Sequence, residues 1–376
     1  MESCDVLIVG GGPAGSSCAW RLRSAGLDVL VLDKAGFPRD KPCAGWITPD
    51  VLEDLQIDPE EYSSNRVLQP LAAFRTGLIG GGQLDTRYPA TVSYAIRRCQ
   101  FDHYLLQRSG ARLQLGEPVR SIERAGTWWI VNERLKAPLL VAAGGHFCPV
   151  ARWLGAGRDT GRRLVVARQI EFEMDAVEQT RCTVEAEVPE IYFCNDLQGY
   201  GWCIRKGEYL NIGLGREDRN QITRHVDDFC EYLASQGKIP RHLPGRLRGH
   251  AYLLHGPSPR TLMDNGVLAV GDAAGLAYPQ SGEGIRPAVE SGLIAAEIIL
   301  SADGDYRGER LEPYRRILVQ RFGRCADDRS ARGLLPQGLR RRLGRRLLAN
   351  RWFVRHVILN RWFLHTRQSP LGAAEE

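Results

Sequence analysis

Six residues near the start of the chain, Gly10-Gly11-Gly12-Pro13-Ala14-Gly15, have the spacing G-x-G-x-x-G. In this pattern the glycines permit a tight turn, let the backbone approach a pyrophosphate and allow close helix–strand packing. The helix that follows presents free N–H groups and its positive dipole end to the phosphates. An acidic side chain at the end of the next strand, here Asp33, is placed to bind a ribose hydroxyl. The pattern predicts a dinucleotide site with contacts from Gly10, Gly12, Pro13, Ala14, Gly15, Asp33 and Lys34.

The elements around this turn favour the same prediction. The run "DVLIVG" (5–10) is continuously apolar, as expected of a parallel strand that is buried on both faces. Pro13 stands in the first turn of the predicted helix and Gly26 at its end. A second apolar run, "DVLVLD" (28–33), completes strand, turn, helix and strand in about thirty residues, which is the size of a βαβ unit.

A second pattern lies near the far end of the chain. Residues 266–287, "GVLAVGDAAGLAYPQSGEGIRP", indicate a strand, then Gly271-Asp272, a loop rich in Pro and Gly, and a helix over about 284–301. With the first pattern, this segment resembles flavoprotein oxidoreductases of the p-hydroxybenzoate hydroxylase fold. The resemblance implies that the dinucleotide is FAD, bound also by Asp272, Pro279, Gly282, Gly284 and Ile285.

The segment "RCQFD" (98–102) matches the R-x-x-F-D pattern that these flavoproteins carry at the start of a helix. A helix is predicted over 98–109, and the resemblance implies that Arg98 contributes to the FAD site. Arg97 is adjacent, so the sequence leaves open which of the two arginines points inward.

Within that fold, three segments resemble the geranylgeranyl reductase family: "KPCAGW" (41–46), "GYGWCIRKGEYLNIGLG" (199–215) and "PQSGEGI" (279–285). The resemblance implies that the first segment lies against the flavin ring, with Cys43 near its reactive edge. Ala44 and Gly45 would keep side-chain bulk away from the ring. There a thiol would tune the flavin, hold the substrate or donate a proton; the alternative is a cysteine that is only packed in the core.

Tyr200 and Trp202 alternate on a predicted strand, so both side chains project from one face of a sheet. If that face covers the flavin, they line an apolar substrate cavity. Two aromatic residues in an ordinary sheet core are the alternative.

The chain departs from the family pattern in three places. Ala143 stands where family members carry an aspartate, Ile204-Arg205 replaces Phe-Pro, and Ala44 replaces the first glycine of the P-C-G-G segment. In addition, no second G-x-G-x-x-G marks a nicotinamide domain. The electron donor therefore stays open between NAD(P)H and a reduced carrier protein. Halogenases of the same fold carry W-x-W-x-I-P and a catalytic lysine; "YGWCIR" (200–205) only approaches that motif, and halogenation is not expected.

Composition sets the broad class. The chain has 376 residues, 43% of them apolar, no continuous apolar stretch of membrane-spanning length and no secretion-type N-terminus. Its ten cysteines contain no C-x-x-C pair and are interpreted as reduced thiols, which indicates the cytoplasm. No metal site is predicted.

The C-terminal region is basic, with nine arginines and no acidic residue between Arg340 and Arg367. One interpretation is an amphipathic helix on an anionic membrane; the other is a helical cap with its arginines in water. The apolar residues of the predicted stripe are Leu343, Leu347, Trp352, Val357 and Trp362. Nucleic-acid binding is not expected, because no reader motif accompanies the charge.

Together these features predict an α/β protein: a Rossmann-like FAD-binding domain, an inserted antiparallel β-sheet substrate domain and a helical C-terminus. The predicted boundaries are 1–70, 95–165 and 262–305 for the first, 71–94 and 166–261 for the second, and 306–376 for the third. A strand is also predicted over "TVEAEV" (183–188). The predicted activity is reduction of C=C bonds in an apolar isoprenoid or polyene. The alternatives are an FAD monooxygenase acting on an aromatic or lipid substrate and a non-catalytic flavin-binding protein.

Overall fold

The computed structural model describes residues 1–155, 163–218, 220–256, 260–323 and 337–372. Its helices are α1 (Pro13–Ser24), α2 (Pro49–Asp54), α3 (Pro59–Ser63), α4 (Arg98–Arg108), α5 (Pro149–Trp153), α6 (Ala176–Arg181), α7 (Ile222–Ser235), α8 (Ile285–Ala302), α9 (Gly308–Phe322), α10 (Gln337–Leu348) and α11 (Arg351–Phe353). A 3₁₀ turn covers Gly271–Ala273 and a π-helix covers Val354–Phe363.

The strands are β1 (Glu2–Ser3), β2 (Val6–Val9), β3 (Val29–Asp33), β4 (Trp46–Ile47), β5 (Leu68–Leu71), β6 (Ala73–Leu78), β7 (Gln83–Arg87), β8 (Ser93–Ile96), β9 (Arg112–Leu115), β10 (Ile122–Ala125), β11 (Trp128–Val131), β12 (Leu135–Ala137), β13 (Leu139–Ala142), β14 (Leu164–Glu173), β15 (Glu190–Phe193), β16 (Gly199–Lys206), β17 (Tyr209–Arg216), β18 (Arg248–Leu253), β19 (Met263–Asp264) and β20 (Val267–Ala269).

The chain divides into two compact units. The first comprises Met1–Asp40, Cys99–Arg163 and Tyr252–Asp328, and the second comprises Lys41–Arg98, Leu164–Ala251 and Arg329–Glu376. Residues 41–70, which the sequence assigned to the FAD-binding domain, lie in the second unit. The compact units and the predicted functional domains therefore divide the chain at different positions.

The first unit is built on a six-stranded sheet of order β19-β20-β13-β2-β3-β9. Neighbours from β20 to β9 run parallel, and β2, β3 and β13 are apolar and buried as expected for strands covered on both faces. The predicted Rossmann-like arrangement is thereby confirmed. A smaller sheet of order β1-β12-β11-β10 also belongs to this unit.

The second unit is built on a seven-stranded sheet of order β18-β14-β17-β16-β15-β6-β7, with a three-stranded sheet of order β4-β8-β5. The sequence predicted an antiparallel sheet here. The larger sheet is instead mixed, because β15 runs parallel to β6. The long strands β14, β17 and β16 form its antiparallel centre. One face of this centre packs on α7, whose buried residues are Val226, Phe229 and Leu233.

The strand predicted over 183–188 is wrong. The segment forms a turn in which the N–H of Val188 donates to the carbonyl of Glu185 at 3.2 Å. Val184 is buried in the apolar core of the second unit, and Val188 is also buried. The valine–glutamate alternation thus arises from a turn whose valines pack inward, and not from extended pairing.

The predicted apolar stripe of the C-terminal region also differs from the buried one. Leu343 and Trp352 are exposed, whereas the buried residues of the π-helix are Val354, Ile358, Leu359 and Phe363. Spacings of four and five residues share a face in a π-helix, since its hydrogen bonds run from i to i+5. A stripe drawn on α-helical spacing therefore selects the wrong residues. Residues 324–336 and 373–376 of the region predicted to be helical lie outside the described residues.

Among the described residues, no helix combines the length and apolar character needed to cross a bilayer. Within the same ranges, His, Cys, Asp and Glu side chains form no cluster of three or more that would hold a metal ion.

Candidate cofactor and substrate site

The glycine turn of the first unit leads directly into α1. Gly12 is the N-cap in extended conformation, Pro13 is the first helical residue, and no side chain caps the first turn. Pro13 suits this position because its missing N–H is not needed there. The remaining N–H groups and the helix dipole leave a place that favours an anion.

Three glycines of the turn differ in what a side chain at their position would meet. Gly10 has φ +116°, and a Cβ there would lie 2.3 Å from the carbonyl oxygen of Ala143. A Cβ on Gly15 would lie 1.9 Å from the carbonyl oxygen of Gly10. A Cβ on Gly12, by contrast, would meet only the guanidinium of Arg39, at 3.2 Å. Gly10 and Gly15 are thus required by protein packing, whereas Gly12 leaves a surface that a ligand can approach.

Asp33 lies at the end of β3, beside this turn. Its carboxylate accepts hydrogen bonds from the N–H of Gly11 at 2.8 Å and from the N–H of Ala35 at 2.9 Å. A carboxylate has about four lone-pair sites, so the two bonds leave capacity for ribose hydroxyls. Lys34 follows with an exposed side chain. The two hydrogen bonds orient the carboxylate beside the glycine turn, which is the arrangement expected of a dinucleotide site.

The second motif is held by buried polar groups. The N–H of Gly271 donates to the hydroxyl of Ser291 at 2.9 Å. The buried guanidinium of Arg260 donates to the carbonyls of Asp272 and Ala273 at 3.2 and 2.9 Å. These bonds fix the main chain of the 3₁₀ turn, and the half-buried carboxylate of Asp272 lies 3.1 Å from the position of a Cβ on Gly284.

The loop that precedes α8 is equally tight. Gly282 has φ +71°, and a Cβ there would lie 2.3 Å from the hydroxyl of Tyr252. Pro279 is half-buried, Gly284 is the N-cap without a side-chain cap, and Ile285 is buried as the first residue of α8. The first turn of α8 itself carries no acidic residue, and the carboxylate of the preceding Glu283 accepts the N–H of Arg286 at 3.4 Å. The positive end of this helix thus favours negatively charged or polar groups.

Ala14 brings the two motifs together within the first unit. A Cβ on Gly292 of α8 would lie 2.3 Å from the carbonyl oxygen of Ala14, and one on Gly271 would lie 3.1 Å from its methyl group. Helices α1 and α8 therefore meet at backbone distance. The glycine turn, Asp33 and the Gly271–Ala273 turn therefore form one continuous region of the first unit.

The cysteine loop belongs to the second unit. Gly45 has φ +65° and donates its N–H to the sulfur of Cys43 at 3.3 Å, while its carbonyl accepts from the N–H of Ile96 at 2.7 Å. A Cβ on Gly45 would lie 2.2 Å from the carbonyl oxygen of Ile96. Ala44 packs against the apolar cluster around Trp202. The loop thus has one defined conformation that only glycine permits at position 45.

Tyr200 and Trp202 project from one face of β16, with ring centroids 6.2 Å apart. Trp202 is buried in an apolar cluster with Leu71, Ala95, Ala167 and Ile204. A Cβ on Gly213 would lie 2.3 Å from its ring, so this glycine makes room for the indole. The expectation that the two aromatic residues share a face is confirmed.

Further aromatic residues that the sequence did not single out extend this face. Trp46 stacks between Phe74 and Phe363 at centroid distances of 5.0 and 5.3 Å, and Phe363 meets Tyr200 edge-on at 5.4 Å. We call Trp46, Phe74, Tyr200 and Phe363 the aromatic wall. Phe363 comes from the π-helix, more than 150 positions from Tyr200, and no local pattern links the two.

A polar cluster lies behind the cysteine loop and was also missed. Lys206 is fully buried and donates to the carboxylate of Glu171 at 2.7 Å and to the carbonyl of Ile96 at 2.9 Å. Asn211 donates to Glu171 at 2.9 Å. Burial alone would raise the pKa of Glu171, but Lys206, Asn211 and Arg97 together hold it below its ordinary value. The available signal was parity: Lys206 follows Tyr200 and Trp202 at even spacing on a strand, so it points inward.

The two candidate arginines have different surroundings. Arg98 is the first residue of α4 and is buried. Arg97 pairs with Glu171 at 3.2 Å and stacks over the ring of Tyr209 at 3.6 Å. The main chain of Ala143, at the position of the missing aspartate, lies so close to Gly10 that its carbonyl oxygen would be 2.3 Å from a Cβ added there.

The fold and these motifs define an FAD-dependent oxidoreductase. A family profile for an NAD(P)-binding Rossmann-like domain matches residues 8–39. The crystal structure of a geranylgeranyl bacteriochlorophyll reductase-like protein from Thermoplasma acidophilum aligns with a TM-score of 0.75 at 21% identity, over 100% of this chain and 94% of that one.

Relatives with similar sequences indicate the family of oxidoreductases. A digeranylgeranylglycerophospholipid reductase of Methanocaldococcus jannaschii is 28% identical over 83% of this chain and 81% of its own length. An uncharacterized protein of Methanosarcina barkeri is 31% identical over 80% and 76%, and a menaquinone reductase of Mycobacterium tuberculosis is 29% identical over 86% and 81%. The chain belongs to the geranylgeranyl reductase family of FAD-dependent oxidoreductases.

Halogenases share the fold at lower similarity. A variant of halogenase PltM in complex with FAD aligns with a TM-score of 0.69 at 16% identity, over 85% of this chain and 74% of that one. This likeness concerns the fold alone.

Proposed function

We propose that this protein reduces carbon–carbon double bonds of an apolar isoprenoid or polyene lipid. The observation that carries the proposal is the cysteine loop beside Trp202 and the aromatic wall within the second unit. Phe74 and Phe363 are buried, whereas Trp46 and Tyr200 are half-buried and offer apolar area to a long hydrocarbon chain. Support comes from the relatives named digeranylgeranylglycerophospholipid reductase and menaquinone reductase, since both names specify compounds with prenyl chains.

We assign the residues of the first unit to the cofactor. The N–H groups after Gly12 bind the pyrophosphate, Asp33 binds a ribose hydroxyl, and Asp272 accepts from hydroxyls near the flavin. The loop residues Pro279, Gly282, Gly284 and Ile285 aim the positive end of α8, and Gly10, Pro13, Ala14, Gly15 and Lys34 complete the binding region. Bound FAD supplies two-electron redox chemistry that no amino-acid side chain provides.

We assign the second unit to the substrate. Tyr200 and Trp202 line the path of the hydrocarbon chain. Ala44 and Gly45 keep side-chain bulk away from the flavin ring. Arg98 contributes to the FAD site. Cys43 holds the proton that is delivered to one carbon of the double bond. Its sulfur accepts the N–H of Gly45, so the thiol has a fixed orientation in the loop. The aromatic wall excludes water from the reacting bond.

The net reaction adds two electrons and two protons across the double bond. We propose that the electrons come from NAD(P)H bound transiently or from a reduced carrier protein. The absence of a second G-x-G-x-x-G motif in the sequence is consistent with either source.

We also propose that the C-terminal region contacts an anionic membrane, from which a lipid substrate would be taken. Leu343 and Trp352 are 48% and 66% exposed within the arginine-rich, acid-free segment. Exposed apolar side chains among arginines are typical of helices that lie at a lipid surface. Salt-sensitive co-sedimentation with anionic vesicles, lost in the double variant Leu343→Ser/Trp352→Ser, is the expected result. Equal binding to neutral vesicles would contradict it.

The activity is tested with FAD-loaded protein that is reduced anaerobically and mixed with digeranylgeranyl glycerophospholipid. Reoxidation of the flavin by the lipid, and a product heavier by two hydrogens, are expected. A lipid that leaves the flavin reduced while oxygen yields a hydroxylated product would indicate a monooxygenase instead. Cys43→Ser should slow turnover at least about tenfold. Cys230→Ser serves as a control, because burial raises the pKa of that thiol to about 11 and keeps it inert.

A further inference from the structure

Three polar side chains from three strands meet behind the cysteine loop: Glu171 of β14, Lys206 of β16 and Asn211 of β17. Lys206 and Asn211 are fully buried, and Glu171 is largely so. The carboxylate of Glu171 receives Lys206 at 2.7 Å and Asn211 at 2.9 Å on the same oxygen. We call these three residues the buried triad.

Stability alone does not account for the triad. Removing an ammonium and a carboxylate from water carries a large desolvation cost, and apolar residues of similar volume often replace such pairs without loss of stability. A buried ionic cluster that persists in a sheet core is therefore better explained by the geometry that it imposes. The contacts of the triad show which segment it acts on.

Those contacts converge on the cysteine loop. Asn211 donates to the carbonyl of Cys43 at 3.2 Å. The ammonium of Lys206 lies 2.6 Å from the position that a Cβ on Gly45 would occupy, and it also binds the carbonyl of Ile96. The N–H of Ile96 in turn donates to the carbonyl of Gly45. The triad thus holds the Cys43–Gly45 segment through the hydrogen bond to the carbonyl of Cys43 and through the packing of Lys206 against Gly45.

The same amide also reaches the substrate face. The indole N–H of Trp202 donates to the side-chain oxygen of Asn211 at 2.7 Å. The two ends of one buried amide therefore connect the carbonyl of Cys43 with the ring of Trp202. A rotation of this amide would exchange its donor and acceptor and break both contacts, so the relative placement of thiol and indole is coupled.

We propose that Lys206 and Asn211 are positioning residues that fix the Cys43 loop against Trp202 for the reaction. This inference rests on the proposed function, which assigns Cys43 and Trp202 to the substrate. Neither positioning residue acts on the substrate itself. Their effect is to hold the thiol at one place relative to the bound hydrocarbon chain.

The test compares Lys206→Met and Asn211→Leu with Lys238→Met, all loaded with FAD. Lys238 forms a buried ion pair of the same kind with Glu190, at 2.6 Å, in the same unit, so its variant controls for loss of a buried ion pair. Amide hydrogen exchange is followed in a peptide covering 41–47 and in one covering 190–193. Turnover is measured as kcat and KM separately.

We expect exchange in peptide 41–47 to accelerate at least about tenfold in Lys206→Met and Asn211→Leu, and to stay unchanged in Lys238→Met. We expect kcat to fall about tenfold to a hundredfold with KM within about twofold, because misplaced reacting groups slow the chemical step more than binding. Equal exchange of 41–47 in all three variants, or acceleration only together with 190–193, would overturn the proposal.

Each result bears on one hypothesis. The exchange measurement needs no turnover, so it judges the positioning of the loop even if Cys43→Ser proves fully active and the role of Cys43 is lost. Should Lys206→Met fail to fold, Asn211→Leu alone decides, since it removes no charge from the core.

Discussion

Gly10 and Ala143 meet at backbone distance: a methyl group on Gly10 would lie 2.3 Å from the carbonyl oxygen of Ala143. The contact joins the turn after β2 to the end of the adjacent parallel strand β13. The N–H of Ala143 also donates to the carbonyl of Val9 at 2.8 Å. The nucleotide turn is therefore shaped by its neighbouring strand as well as by its own residues.

Gly10→Ala should consequently destabilise the first unit and prevent FAD binding. The new methyl group clashes with main-chain atoms that cannot rotate away, and φ +116° disfavours any L side chain. We expect a loss of more than about 2 kcal/mol in the free energy of unfolding and a colourless protein. Gly36→Ala is the matched control, since a Cβ there has nothing within 4 Å. A yellow Gly10→Ala protein with the parent's melting temperature would refute the assignment.

Asp33→Asn should weaken FAD binding about tenfold to a hundredfold, the effect of losing hydrogen bonds to a charged group. The amide offers one acceptor oxygen in place of two, while the N–H groups of Gly11 and Ala35 still need acceptors. Titration of apoprotein with FAD, followed by flavin fluorescence, measures the change. Asp28→Asn, before the same strand, should bind like the parent; similar losses in both variants would indicate a general charge effect.

Phe363→Ala should destabilise the second unit by about 3 to 5 kcal/mol, because the ring is 4% exposed and fills the space beside Trp46 and Tyr200. The measurement is urea unfolding monitored by tryptophan fluorescence. Trp352→Ala removes a larger but 66% exposed ring from the same region and should change stability by less than about 0.5 kcal/mol. The opposite ranking would mean that the π-helix does not pack as described.

The pH dependence of stability should report Glu171. Its pKa is below the ordinary 4.5 in the folded protein, with burial opposed by Lys206, Asn211 and Arg97. The carboxylate therefore stabilises the fold fully above the unfolded-state pKa, and this contribution is lost as the pH falls through the folded-state pKa. The free energy of unfolding should fall on acidification more steeply in the parent than in Glu171→Gln. Glu173→Gln, at the exposed end of the same strand, should retain the parent's slope.

Much of this protein was determined by short stretches of sequence. Strand, glycine turn, helix and Asp33 lie within one local stretch, and each responds to interactions between near neighbours: φ at Gly10, the first helical turn at Pro13, burial of apolar runs. The 271–285 segment is similar. Such elements were predicted correctly because their geometry is decided within a few residues.

Tertiary structure alone decided the rest. Glu171, Lys206 and Asn211 meet because β14, β17 and β16 pair in one register, and a shift of one residue would turn their side chains to the opposite face. Phe363 reaches Trp46 across more than 300 positions through a π-helix whose period no α-helical pattern reveals. A charged lysine is tolerated in a sheet core only when its partners arrive from distant parts of the chain, so its sequence neighbours cannot specify its burial.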